Sequence, residues 1–166
     1  MRISKKLADV MNDQINYELY SGYIYLSMAT WFEEQNLEGM ARWMKLQAKE
    51  EYEHATKFWN HVVERGGRVM LKAIQEPKME WKNPLEAWED AYQHEIKVTK
   101  RIFKIGEIAE KEGDKSAMPL LHWFYNEQIE EEEQPWFLVM LSRKTRGVVM
   151  VFLYFFFNSS IFSRKR

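Results

Sequence analysis

From residue 4 to about residue 34 the chain has no proline and a single glycine. Its apolar residues recur there as Leu7, Met11, Tyr25, Ala29 and Phe32, the period of a helix that turns one face to a core. A break at Gln35 and Asn36 precedes a second such segment, from about 37 to 65, which stops at Gly66 and Gly67. Pro84 suits the first turn of a third helix, reaching to about 112. Gly113 and Asp114 form a short turn, and a fourth helix begins near Lys115, close enough to Pro119 for that proline to be tolerated. Residues 66–83 are long enough to cross the length of a helical bundle. Two hairpins joined by one long crossover predict an all-α, four-helix bundle of up-down-down-up topology. No repeat of the length used by solenoids is visible.

Length and composition narrow the class. The 166 residues suffice for one domain with a core, and 30% charged with 46% hydrophobic residues is a globular balance. With 24 basic against 25 acidic side chains, the basic excess of nucleic-acid-binding proteins is missing, so no such partner is expected. Cysteine is absent, so any metal must be held by oxygen and nitrogen ligands. MRISKKLADV is too polar for a signal peptide, and a cytoplasmic address is expected.

The end of the chain departs from this pattern. Residues 148–157 are ten uninterrupted apolar residues, short of the roughly 20 that span a bilayer, so no membrane partner is expected. As a helix the stretch is apolar all round and must be buried or meet another subunit. The expected division is a bundle over 1–145 and a C-terminal segment over 146–166 with a short fifth helix near 148–160. Pro135, inside the fourth helix, removes a hydrogen bond and calls for a kink.

Each apolar stripe carries a polar interruption at mid-length. Glu18 shares its face with Met11, Gly22, Tyr25, Ala29 and Phe32. In KEEYEHA, Glu51 and His54 stand three apart and share a face with Met44, Gln47, Phe58 and Val62. Glu95 is flanked by Trp88, Tyr92, Val98 and Ile102, while Gln128 and Glu131 continue the stripe of Ala117, Leu121 and Phe124. Glu95 and Glu131 each stand 18 residues from Gly113, so the second hairpin brings them level. Singly, each residue reads as an ordinary solvated or core side chain. Four carboxylates and an imidazole at one height in a core would repel and protonate unless a cation neutralised them. Such a ligand set suits a pair of iron or manganese ions. Within the run Glu130 to Glu133, Glu131 is expected inward, with Glu132 and Glu133 solvated. Tyr25 lies about two turns beyond Glu18, within reach of the cluster. His61, His94 and His122 are expected to be structural.

NYELYSGYIYLSMATWF, WMKLQAKEEYEHATKF, ERGGRV, HEIKVTKRI and WFYNEQIEEE resemble bacterial and archaeal non-haem ferritins over residues 4 to about 134. Glu18, Glu95 and Glu51-x-x-His54 fit the family's di-iron pattern, and Gln128-x-x-Glu131 stands in place of a second Glu-x-x-His. The resemblance implies a ferroxidase centre with one iron on Glu18, Glu51 and His54. It places a second iron on bridging Glu51 with Glu95 and Glu131, and Gln128 nearby. A third iron site matches Glu50, Glu127 and Glu130, with Glu131 shared. Tyr25 and Trp123 match aromatics beside the centre, and Tyr52 stands where bacterioferritins place a haem-ligating methionine, so haem is not expected. The family oxidises Fe(II) with O2 or H2O2 and stores a ferric mineral inside a self-assembled shell of 24 subunits. After Gln134 the match deteriorates, where the family carries a charged fifth helix lining its fourfold channels. The alternatives are a di-iron oxidase or peroxide-scavenging enzyme without storage, and a metal-free bundle whose glutamates face water.

Overall fold

The computed structural model describes residues 2–144. Four long helices form: α1 Lys5–Glu34, α2 Glu38–Glu64, α3 Pro84–Lys111 and α4 Met118–Lys144. Ser4 caps α1 by accepting from the Leu7 amide at 3.1 Å, and Asn83 caps α3 by accepting from the Glu86 amide at 3.0 Å. Pro84 follows as the first helical residue, where its missing N–H costs nothing. A short 3₁₀ turn, Lys115–Ala117, leads into α4. The breaks lie where the sequence places them, at Asn36, Gly66 and Gly113, each with positive φ (58°, 69° and 65°). A β-carbon is strained in that region, and glycine and asparagine adopt it most readily.

The direction of each helix follows from contacts at one end of the bundle. Ile3 N donates to Arg65 O at 3.0 Å, and Ser4 Oγ donates to Glu112. The Arg65 guanidinium forks onto both Asp114 oxygens at 2.9 and 2.7 Å. The start of α1, the ends of α2 and α3 and the start of α4 therefore share that end. The topology is up-down-down-up, a ferritin-like four-helix bundle.

The crossover is held by polar side chains of α1. Asn12 Nδ2 donates to Arg68 O at 3.0 Å while Asn12 Oδ1 accepts from Met70 N at 2.7 Å. One turn on, Asn16 repeats the pattern with Met70 O at 2.8 Å and Lys72 N at 2.7 Å. Two asparagines four residues apart thus supply the backbone partners that an extended segment would otherwise take from a neighbouring strand.

The apolar core falls into two clusters. One surrounds Tyr25, Phe32, Met44 and Trp88, and the other surrounds Leu7, Ile15, Phe58, Ile102 and Phe124. Between them lies a layer of buried polar groups. Gly22 lies in this region, where an added β-carbon would sit 3.2 Å from Ala48 O and 3.6 Å from Glu51 Cβ, so its smallness allows α1 and α2 to approach.

Three details depart from the sequence reading or extend it. Tyr92 is half-buried and pairs with exposed Trp136 at 5.4 Å instead of joining the inner stripe, where Ala91 and His94 are buried. Glu132 is half-buried and accepts from Thr99 Oγ1 at 2.5 Å. α4 continues through Pro135, which is buried. The segment 146–166, with its expected fifth helix, lies outside the described residues. No helix among the described residues is long and apolar enough to cross a membrane.

Candidate metal centre

Glu18, Glu51, Glu95, Gln128 and Glu131 are each at most 3% exposed, as is His54. The antiparallel hairpins bring them into the layer between the two apolar clusters. Two groups of three place ligand atoms within 4.8 Å of one another, Glu18 with Glu51 and His54, and His54 with Glu127 and Glu131. His54 joins them. Its Nδ1 lies 3.4 Å from Glu51 Oε2 and its Nε2 lies 3.6 Å from Glu127 Oε1. Trp123 and Phe124 meet its ring edge-on at 5.7 Å, and Lys57 Nζ sits 4.2 Å from the Trp123 ring centre.

Glu95 occupies the same layer but is engaged by other partners. Tyr25 Oη donates to its Oε1, and Gln128 Nε2 lies 3.4 Å from its Oε2. Glu50 is half-buried and Glu130 exposed, and neither belongs to either three-ligand group. Glu127 stands with His54 and Glu131. Tyr52 is exposed. His94 is buried against Ser21 Oγ at 2.7 Å, and burial with Lys97 nearby holds its pKa down at about 4.

Two supporting amides and one hydroxyl were not singled out from the sequence for any role at the site. Gln14 Nε2 donates to Glu18 Oε1 at 2.8 Å, and Gln47 Nε2 donates to Glu131 Oε2 at 2.6 Å. Thr99 Oγ1 accepts from Gln128 Nε2 at 3.0 Å. Gln14 is itself held by Arg101 Nε at 2.9 Å. Gln47 was visible as a polar member of its stripe, but its partner depends on how α2 and α4 are juxtaposed.

The electrostatics are those of a site short of positive charge. Burial raises the pKa of Glu18, and burial with the Glu95 charge raises Glu51 well above the ordinary carboxyl range. Burial carries Glu95 up to about 7 against the opposing Tyr25 hydrogen bond. Burial and Glu95 together carry Glu131 up to about 8. Burial disfavours the charged form of His54, yet Glu127 and Glu51 outweigh it and raise its pKa well above 6.5. Glu18 Oε2 and both Glu51 oxygens are buried without a hydrogen-bond donor among the described residues. Buried carboxylate oxygens with no donor, level with an imidazole, fit an oxygen-rich divalent or trivalent cation.

Comparison with known proteins agrees with this geometry. The sequence model of the family described as "Ferritin-like domain" matches residues 8–139. Bacterial non-heme ferritin of Staphylococcus aureus (strain USA300) is 35% identical over 130 residues, 78% of each chain. That of Staphylococcus haemolyticus (strain JCSC1435) is 38% identical over the same share. Among solved structures, an open pore ferritin from the hyperthermophilic archaeon Archaeoglobus fulgidus superposes with a TM-score of 0.91 at 42% identity. It covers 95% of this chain and 97% of its own. The chain therefore belongs to the ferritin family.

Proposed function

We propose that the buried polar layer is a ferroxidase centre and that the protein stores iron. Fe(II) is the substrate. Glu18, Glu51 and His54 hold one ion, and Glu51, Glu95 and Glu131 hold the second, with Gln128 beside it. Glu127 lies in reach of His54 and Glu131. Glu50 and Glu130 complete an outlying third site with Glu127 toward the cage interior. Two Fe(II) ions give one electron each to the oxidant. With O2, two electrons and two protons leave as H2O2; with H2O2, they leave as two waters. Hard carboxylates favour the ferric product, and a site with one imidazole holds that product loosely enough to pass it on. The product collects as a ferric mineral inside a cage of 24 copies.

The observation that carries this reading is the set of buried oxygens on Glu18 and Glu51 that meet no donor. A metal-free bundle would have to bury these groups either protonated or at a cost that only His54 and the Gln14 amide offset. The test is an aerobic Fe(II) titration combined with sedimentation. Wild-type protein should oxidise the first Fe(II) added quickly and retain far more iron than its ligands can bind. Glu51→Ala and Glu131→Ala should abolish the fast phase. Fast oxidation with no retained iron would favour a non-storage oxidase on the same bundle.

A further inference from the structure

The Gln128 amide has a fixed orientation, and the groups that fix it stand outside the carboxylate layer. Thr99 Oγ1 donates its hydrogen to Glu132 Oε1 at 2.5 Å. Having given its only hydrogen, the hydroxyl offers lone pairs alone. Gln128 Nε2 donates to it at 3.0 Å. A carbonyl oxygen in that place would face another acceptor, so the NH2 end of Gln128 must turn to Thr99. Its second hydrogen then points toward Glu95 Oε2, at 3.4 Å. Gln128 Oε1 is left buried with no donor among the described residues, on a side chain 3% exposed. The same logic operates on α1. Arg101 can only donate, so it takes the Gln14 oxygen and leaves the Gln14 NH2 for Glu18.

We propose that Thr99 and Glu132 are positioning residues for the Glu95 side of the centre. Together they lock Gln128 with its N–H on Glu95 and its Oε1 free to accept from a protonated oxygen ligand, water or hydrogen peroxide. Dioxygen carries no proton and gains nothing from that acceptor. Both residues line a groove of about 450 Å³ between α3 and α4, with Tyr92, Phe103, Ile129 and Trp136 around it and Gln128 among its lining. The lock is therefore set from a surface that the ligands themselves do not reach. This inference rests on the ferroxidase reading above.

The experiment is anaerobic titration of metal-free protein with Co(II), followed by calorimetry and visible absorption. Wild-type protein should take up two ions per subunit at the buried layer in resolvable phases, and Glu95→Ala identifies the phase that Glu95 serves. Thr99→Val, which removes the hydroxyl, should weaken that phase about tenfold, the low end for outer-shell partners of a metal site. The Glu18, Glu51 and His54 phase should keep its affinity. Glu132→Leu keeps the hydroxyl but frees it to donate, so the amide can turn over and the same phase should weaken. Thr99→Ser should restore it. Wild-type affinities in both Thr99→Val and Glu132→Leu, or equal loss of both phases, would overturn the inference. A wild-type protein that binds no Co(II) pair would instead overturn the ferroxidase reading itself.

Discussion

Gln47 Nε2 donates a 2.6 Å hydrogen bond to Glu131 Oε2, so α2 supports a carboxylate carried by α4. Both side chains are buried, and Glu131 has its pKa raised to about 8 by burial and by Glu95 even with this bond in place. Gln47→Leu removes the donor and leaves the carboxylate buried without it. The metal-free variant should lose about 1–3 kcal/mol of stability at pH 8, the cost of an unpaired buried acceptor. The loss should shrink at pH 6, where Glu131 carries its own proton. Denaturant unfolding at the two pH values reads both, and an unchanged midpoint at pH 8 would show that the bond contributes nothing.

The raised carboxyls also set how metal-free protein responds to pH. A carboxyl whose folded pKa lies above its ordinary 4.5 binds more protons folded than unfolded. Its contribution to stability is therefore full below 4.5 and is lost as pH rises through the folded value. Glu95 at about 7 and Glu131 at about 8 place that loss between about pH 5 and 8. His54, raised from 6.5, acts in the same sense. Thermal midpoints of metal-free protein should fall across this range, and Glu131→Gln should flatten the slope. Saturating Zn(II) should flatten it too, because the cation takes the place of the protons. A midpoint that rises from pH 6 to 8 would contradict the burial of these groups.

The layer was legible in the sequence for a geometric reason. Glu18, Glu51, Glu95 and Glu131 each interrupt a helical apolar period, and two short turns fix their heights. Those are local facts, readable from spacing. The supports of the layer are not local. Gln14, Gln47 and Thr99 are polar residues of a kind that sits at the margin of any buried stripe, and only interhelical placement decides which carboxylate each one meets. Tyr92 was misplaced for a related reason, since its ring sits half-buried beside Trp136 and the periodicity alone does not separate that position from the inner face.

The crossover raises the same difficulty, because Asn12 and Asn16 read as ordinary polar positions of an amphipathic helix. Their bonds to Arg68, Met70 and Lys72 make them the supports of a segment without secondary structure. Asn12→Leu leaves the Met70 amide and the Arg68 carbonyl without those partners and should cost about 1–3 kcal/mol. Hydrogen exchange should accelerate at Met70 while the centres of α1 and α2 stay protected. Exchange at Met70 that matches wild type would mean that other contacts hold the crossover.

Glu127 and Glu130 are assigned together to a third site by resemblance, and of the two only Glu127 also stands in a group with His54. Glu127 has a side chain 28% exposed and an oxygen 3.6 Å from His54 Nε2, within the group that includes Glu131. Glu130 is exposed and belongs to neither group. A carboxylate on the far nitrogen of a ligating imidazole fixes its orientation and makes it a better donor. Glu127→Ala should therefore slow the first turnover of two Fe(II) per subunit by about 10-fold or more. Glu130→Ala should leave that turnover near wild type and alter only the later uptake of iron. Stopped-flow oxidation at two Fe(II) per subunit separates these effects from those seen at higher loading. Equal losses in the two variants would confine Glu127 to the outlying site and leave His54 to be oriented by Glu51 and by its packing against Trp123 and Phe124.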